Sequence, residues 1–505
     1  MKSVLRSKTA TIVAVLVLLG VVIYANSLQN GMFWDDDDGI LNNSYVQNFQ
    51  VGKFFSENLI AGSGIFSNYW RPMLLLTYGT EWALWGSWSP GFHATNVAIH
   101  ILNAILVFFV FFRLLKKRSV SFFASLVFLM HPLQTEAVTY VSGRGDPLSF
   151  LFMLLGILWY LKFKDSKQKK FYMLVIGAFI FALLTKERSA IFPAFLVAIE
   201  AWEIIRKKEW FSSERVKKAL IELLPFFCIS ALYLLLRGSV LNFGDTFNIY
   251  AAETYYTTHL SARIFTFLHI LPSYLSLFFL PVTLFMERSE TISVLAFPSI
   301  SVFIGVLTLL LPLLISLLRL KEKPGYLLGT LWFYTSVFAI SGIAVPLAGL
   351  MFEHYMYVPI VGIGIFLGTA LCDLRDSGIL KNWGRNLGVA VLICWIGFLG
   401  IRTVLRNSEW DNPIRFYTQT LEHAPTSMRT WNNLGMAYAD RENYDEARHS
   451  YSKAIRLNPR NPIPYYNLGN VYEDMGEESK AIELWNKSLE LDPEFFPAKR
   501  KLGGF

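Results

Sequence analysis

Thr9-Ala10-Thr11-Ile12-Val13-Ala14-Val15-Leu16-Val17-Leu18-Leu19-Gly20-Val21-Val22-Ile23-Tyr24 carries no charge and follows Lys2, Arg6 and Lys8. A membrane span needs about 20 mostly apolar residues, and this stretch with its flanks reads as one. No small-residue cleavage site precedes the polar Asn26-Ser27, so a retained anchor is expected rather than a signal peptide. Similar stretches recur at Phe92–Phe112, Phe122–Tyr140, Leu148–Phe163, Phe171–Leu184, Ala190–Ile205, Ala219–Leu236, Val294–Leu318, Tyr326–Ile343, Tyr355–Leu371 and Leu387–Leu405. Residues 1–405 therefore read as a polytopic helical bundle of about eleven spans. The Trp-rich Pro72–Trp85 suits an interfacial helix.

Composition agrees. Of 505 residues, 53% are hydrophobic and only 17% charged, against about 25% charged in soluble domains. Disorder is excluded by the apolar and aromatic content. Cys228, Cys372 and Cys394 lie in apolar stretches without CxxC or metal-ligand spacing, which excludes a disulfide scaffold. The formal charge of +8 divides unevenly: the first 405 residues hold 33 basic and 23 acidic side chains, the remainder 13 and 15. The basic excess sits in short runs between apolar stretches, the pattern of the positive-inside rule, so nucleic acid is not an expected partner.

Those runs are the N-terminus, Arg113–Arg118, Lys162–Lys170, Arg206–Lys218, Arg319–Lys323 and Arg375–Arg385, with 24 of the 33 basic residues. Eleven spans place them all on one side, expected to be cytoplasmic. The opposite side then receives loop 26–90, the loops after Tyr140, Leu184, Leu236 and Ile343, and everything after Leu405. Were Ile264–Leu280 to cross, Arg319–Lys323 would face outward, so a re-entrant or interfacial segment is expected there. A bacterial-type inner or plasma membrane suits this plan.

Residues 406–505 read as a second domain. Trp431 and Tyr465, Leu434 and Leu468, Gly435 and Gly469, Tyr438 and Tyr472, Ala447 and Ala481, Tyr451 and Trp485, and Pro459 and Pro493 each stand 34 apart. This is the tetratricopeptide period, predicting an α-solenoid with full repeats at about 428–461 and 462–495 between half repeats. Such arrays bind peptides or partner domains, or serve packing and assembly.

The chemistry-bearing residues crowd at the outward ends of the spans. Phe33-Trp34-Asp35-Asp36-Asp37-Asp38 follows the first span. Adjacent carboxylates repel, which raises a pKa or recruits a cation, and a raised carboxylate suits a general base. A solvated acidic loop is the plain alternative. Further along stand Tyr69-Trp70-Arg71-Pro72, His93 with Asn96 and His100, His131-Pro132 with Glu136, Gly143-Arg144-Gly145-Asp146, Lys186-Glu187-Arg188 and Glu353-His354 with Tyr357. His93, Asn96 and His100 recur on one helix face, where interhelical hydrogen bonding is the plain reading. Arg71, Arg144, Lys186 and Arg188 fall outside, against the positive-inside trend. Guanidinium groups bind phosphate in a fork, although nearby carboxylates would offset these cations equally well.

The order Trp34-Asp35-Asp36, Tyr69-x-Arg71-Pro72, Gly91-Phe92-His93-x-x-Asn96, His131-Pro132 with Glu136-Ala137-Val138, Gly143-Arg144-x-Asp146, Lys186-Glu187 and Glu353-x-x-x-Tyr357-x-Pro359 resembles the multispan, tetratricopeptide-bearing protein O-mannosyltransferases of the GT-C class and their bacterial relatives. The resemblance implies an extracytoplasmic glycosyltransferase using a polyprenyl-phosphate-linked sugar, with an acceptor protein or partner at the repeats. It further implies that Asp35 or Asp36 deprotonates the acceptor hydroxyl, and that Arg71, Arg144, Lys186 and His131 contact the lipid phosphate. Glu136, Asp146 and Glu353 would position these groups. His354 stands where the family often has Arg, and Leu284-Phe285-Met286-Glu287-Arg288-Ser289 departs from the usual stretch. Hard oxygens at Asp35 and Asp36 suit Mg²⁺, Mn²⁺ or Ca²⁺, and a metal-free base equally. Two other classes stay open: a noncatalytic membrane-anchored assembly factor and a lipid-linked saccharide transporter.

Overall fold

The structure, a computed structural model, describes residues 2–207, 212–241, 254–347, 349–378 and 382–503. Parts of the basic runs at 206–218 and 375–385 lie outside the described residues, as does the end of the tail. Every regular element among the described residues is helical. Among the described residues, seven helices are long and apolar enough to cross a membrane: Ser7–Gln29, Ser89–Leu115, Val141–Ser166, Ser213–Gly238, Leu260–Phe279, Ile300–Leu318 and Trp383–Glu409. Six of these coincide with the expected spans. Helix Ile300–Leu318 exposes Phe303, Leu307, Leu310, Leu311 and Leu314, an apolar surface of the kind that lipid covers.

The other expected spans are shorter helices, with physical reasons. The stretch 122–140 is not continuous: helix Arg118–Met130 ends at His131, which is extended (φ −79°, ψ 129°), before the turn Pro132–Gln134. Proline lacks an N–H and disfavours a helical predecessor, so the chain breaks there and turns residues 131–141 into the interior, where all are buried. Helix Gly325–Phe338 likewise stops short of Ile343, and Pro359 starts helix Pro359–Asp376 after Tyr355.

Ion pairs tie the basic runs together at one end of the bundle. Arg113 meets Asp165, Lys164 meets Glu200 and Glu203, Arg215 meets Glu200, and Lys167 meets Glu222. Trp202 donates to the Pro324 carbonyl at 2.8 Å, and Arg319 and Lys323 pair with Asp373 and Asp376. Arg319–Lys323 therefore belongs to the same end as the earlier runs.

Helix Leu260–Phe279 is long enough to span, yet its neighbours at both ends lie toward the other face. Tyr256, just before it, lies against Gly342, and Tyr274 donates to the Phe352 carbonyl at 3.2 Å. At its C-terminus the Phe279 carbonyl accepts from Trp395, about midway along helix Asn382–Glu409. Three residues later the Val282 carbonyl accepts from Arg402 at 3.1 Å. Those partners are seven residues apart, about 10 Å of helix rise, so the chain after Phe279 runs along helix Asn382–Glu409 toward its C-terminal end.

The tail alternates helices Met428–Ala439, Tyr444–Leu457, Pro462–Asp474 and Glu478–Leu491, between Pro413–His423 and Phe496–Lys501. The repeated glycines mark close approaches: a Cβ on Gly435 would lie 2.7 Å from the Tyr451 ring, and one on Gly469 2.6 Å from Trp485 Nε1. Only a missing side chain lets the paired helices meet.

Candidate functional site

The polar motifs gather at the end opposite the basic runs. Asp35 and Asp36, adjacent in sequence, have different surroundings. The Asp36 carboxylate is buried; its Oδ1 accepts from the Ser142 N–H at 2.7 Å and the Ser142 hydroxyl at 2.5 Å. Asp35 is exposed, and its N–H donates to the Tyr140 hydroxyl at 3.1 Å. Burial, with the like charges of Asp35 and Asp37, raises Asp36 to about 7 although the Ser142 bonds oppose it. Burial raises Asp37 to about 7, helped by Asp440 of the tail, and Asp38 to about 6. Trp34 has φ +67°, left-handed backbone that a bulky residue adopts only under constraint.

The second feature is a small cleft of about 50 Å³, lined by Asp146, Lys186, Arg188 and His354 together with Met153, Ile191, Phe195 and Ile340. Lys186 Nζ pairs with Asp146 at 2.7 Å. Glu136 grips His354 twice, accepting from its Nδ1 at 2.6 Å and from its backbone N–H at 2.8 Å. The Arg188 guanidinium lies 4.0 Å above the Tyr355 ring.

Three of the four groups expected to meet a lipid phosphate are engaged elsewhere. Arg144, fully buried, donates Nε to Asn96 Oδ1 at 2.5 Å and its terminal nitrogens to Glu81, Thr77 and the Phe92 carbonyl. His131 gives Nε2 to the Phe278 carbonyl at 2.8 Å, while Nδ1 accepts the Leu133 N–H at 3.2 Å. Arg71 forms a two-pronged pair with Glu187 at 3.0 and 2.7 Å; despite burial, that cation holds the Glu187 carboxyl well below the usual range. Lys186 alone of the four lines the cleft.

His93 Nε2 is 3.1 Å from the Asn30 carbonyl, fastening the first loop. Tyr357 lines the cleft, but its hydroxyl is held by His100 at 2.9 Å and Asn103 at 3.1 Å. Glu353 is buried and accepts from the Phe285 N–H at 2.7 Å, Arg288 at 3.4 Å and Arg406 at 3.3 Å, clamping the segment 284–289. Ser142, Tyr140, Arg406 and Arg429 join the site without having stood out among the sequence candidates, because none belongs to a charged motif and each acts through a fold contact. Among the described residues no three His, Cys, Asp or Glu side chains converge as a metal-ligand set. In the acidic pair, Asp36 Oδ1 accepts from Ser142 and Oδ2 from the Phe33 N–H at 3.4 Å, while Asp35 is exposed.

The tail closes over this end. Phe33 packs 5.5 Å from Phe416 and 5.9 Å from Trp410 and Tyr417, while Tyr140 stacks on Trp410 at 5.3 Å. Arg429 pairs with the buried Glu287.

Comparison with known proteins agrees with this plan. The family described as TPR repeat matches residues 435–476, and that described as tetratricopeptide repeat matches 462–495. Protein O-mannosyl-transferase F38B6.6 of Caenorhabditis elegans is 24% identical over 468 residues, covering 90% of this chain and 64% of that protein. Protein O-mannosyl-transferase TMTC3 of Mus musculus is 24% identical over 482 residues, 88% of this chain and 51% of that one. Protein O-mannosyl-transferase Tmtc1 of Drosophila melanogaster reaches 33% over 175 residues, 34% and 20% of the two chains. Among solved structures, ArnT from Cupriavidus metallidurans bound to undecaprenyl phosphate aligns with TM-score 0.45 and 15% identity, over 97% of this chain and 78% of that one. The chain spans about half to two thirds of the length of the first two relatives. It is a multi-helix chain with tetratricopeptide repeats in its tail, and along most of its length it resembles the protein O-mannosyl-transferases.

Proposed function

We propose that the protein is a membrane glycosyltransferase that moves a sugar from a polyprenyl-phosphate-linked donor to a hydroxyl acceptor, on the extracytoplasmic face. The observation that carries this reading is the presence of an exposed carboxylate at Asp35, in the loop after the first long apolar helix, together with a cleft bearing Lys186, Arg188 and His354. A lipid-linked donor stays in the bilayer while the acceptor arrives from water, and a site at the mouth of the bundle meets both. The names of the relatives above support the sugar-transfer class.

The chemistry is a single inverting displacement. Asp35 takes the acceptor proton; the acceptor oxygen forms the new bond to the anomeric carbon; the bond from that carbon to the phosphate oxygen breaks, and the phosphate leaves with its electron pair. Lys186 and Arg188 supply positive charge where negative charge develops on the phosphate, the kind of electrostatic stabilisation that lowers the barrier most. Glu136 holds His354 so that its free ring nitrogen is available to the same phosphate. Asp36 has a different part: locked to Ser142, it shapes the loop that presents Asp35.

The test is Asp35→Asn in the purified, membrane-reconstituted protein with a polyprenyl-phosphate sugar. The change keeps volume and removes basicity, so turnover is expected to fall about 10²–10⁴-fold in folded protein. Transfer at the parent rate would remove Asp35 as the base and return weight to a noncatalytic assembly role for the chain.

A further inference from the structure

Asp35 is one residue beyond Trp34, and the placement of Trp34 depends on the tail. The Trp34 ring lies 6.2 Å from Tyr140, 6.0 Å from Phe416 and 5.9 Å from Tyr417, with the Arg429 guanidinium 5.2 Å from its centroid. Three of those four neighbours belong to the last hundred residues. The left-handed Trp34 backbone needs surroundings that enforce it, and most of that enclosure comes from the helix Pro413–His423 and the first repeat. Arg429 is itself fixed: Nε donates to Glu287 Oε1 at 3.0 Å, and Glu287 is buried in the segment clamped by Glu353. Burial opposes the Arg429 charge, but Glu287, then Asp35 and Tyr140, more than offset it.

We propose that the first tetratricopeptide repeat is a working part of the site: Arg429, acting through Trp34, is a positioning residue that sets the direction of the Asp35 carboxylate. This rests on Asp35 being the base. A tail that only recruited acceptors would change the KM of long polypeptide acceptors and leave turnover of short ones untouched. A tail that positions the base changes kcat for every acceptor, including one too short to reach the second repeat.

The experiment uses the full chain in lipid nanodiscs with a short hydroxyl-bearing peptide, comparing the parent, Arg429→Gln, Arg429→Lys and Asp35→Asn. Because Arg429→Gln leaves the buried Glu287 carboxylate without that cation, each variant is first shown to keep the parent melting temperature, and Arg429→Gln/Glu287→Gln, which removes both charges, is measured beside it and should show the same fall in kcat. Arg429→Gln is expected to lower kcat about ten- to a hundredfold, the usual effect of misplacing a reacting group, with KM for donor and peptide unchanged. Arg429→Lys, which keeps the cation, should recover most of that loss. Amide exchange of residues 33–38, read by mass spectrometry without reference to activity, should quicken in Arg429→Gln and not in Arg429→Lys. If Asp35→Asn is inactive while Arg429→Gln keeps full kcat and parent exchange, the positioning role is overturned and the glycosyltransferase reading stands. If Asp35→Asn is active, the reading itself fails and the positioning role falls with it.

Discussion

Arg144 and Arg188 are indistinguishable in the sequence, two outward arginines near acidic residues, yet the fold puts them to opposite uses. Arg144 has all its surroundings supplied by Glu81, Asn96, Thr77 and the Phe92 carbonyl and touches no solvent. Arg144→Met leaves the Glu81 carboxylate buried and unpaired, a change that costs about 3–5 kcal/mol; loss of folded, detergent-stable protein on size-exclusion chromatography is the expected outcome. Arg188 rests on Tyr355 in the cleft wall. Arg188→Ala is expected to leave the fold intact and raise the donor KM roughly ten- to a hundredfold, the value of one charge-assisted hydrogen bond; an unchanged donor titration would remove Arg188 from the phosphate site. Which arginine meets a carboxylate is decided by residues more than sixty positions away, and no local pattern carries that information. The acidic pair was legible as a pair. Its division of labour was not, because it depends on Ser142, an ordinary serine until the break at His131-Pro132 carries it against the first loop.

At the scale of elements, the repeats were the most legible part, since their 34-residue period records the packing directly. Gly469→Ala places a methyl against the Trp485 indole; overpacking of this kind costs about 1–3 kcal/mol, and faster protease cleavage within 462–495 should report it. The acidic turn carries a pH dependence instead. Asp37 titrates near 7 in the folded chain because burial, Asp440 and its neighbours disfavour its charge, well above its ordinary value. Its folded form holds a proton that the unfolded chain has already released. The stability it confers is therefore complete below about pH 4, declines as pH rises toward 7, and is lost above that. Melting temperature should fall from pH 5 to pH 8, and Asp37→Asn should flatten that decline; an equal slope in both proteins would refute the assignment. The expected spans were less legible than the repeats. A hydropathy reading sees Phe122–Tyr140 as one stretch because Val, Leu and Phe continue on both sides of Pro132, while the backbone obeys the proline.

For the whole molecule, the sorting of charge between two ends governs orientation. Reporters placed in Arg206–Lys218 and in Arg319–Lys323 are expected in one compartment and a reporter after Leu405 in the other, with the tail outside; opposite compartments for the first two would require Leu260–Phe279 to cross. Length and hydropathy alone favour crossing for that helix, whereas the contacts of Tyr256 with Gly342, Tyr274 with Phe352 and Val282 with Arg402 motivate the expectation that it does not cross. The meeting of first loop and tail has a consequence for how the chain is made. Asn26 donates to the Val404 carbonyl and Asn407 to the Ile23 carbonyl, and Phe33 waits for Trp410, Phe416 and Tyr417. Such non-local contacts form late. During synthesis the acidic turn emerges early and lacks these neighbours until residues 410–417 have followed it, so a chain stopped before them carries the carboxylates without the aromatic walls that enclose them, and completion of the turn waits on a segment made nearly four hundred residues later.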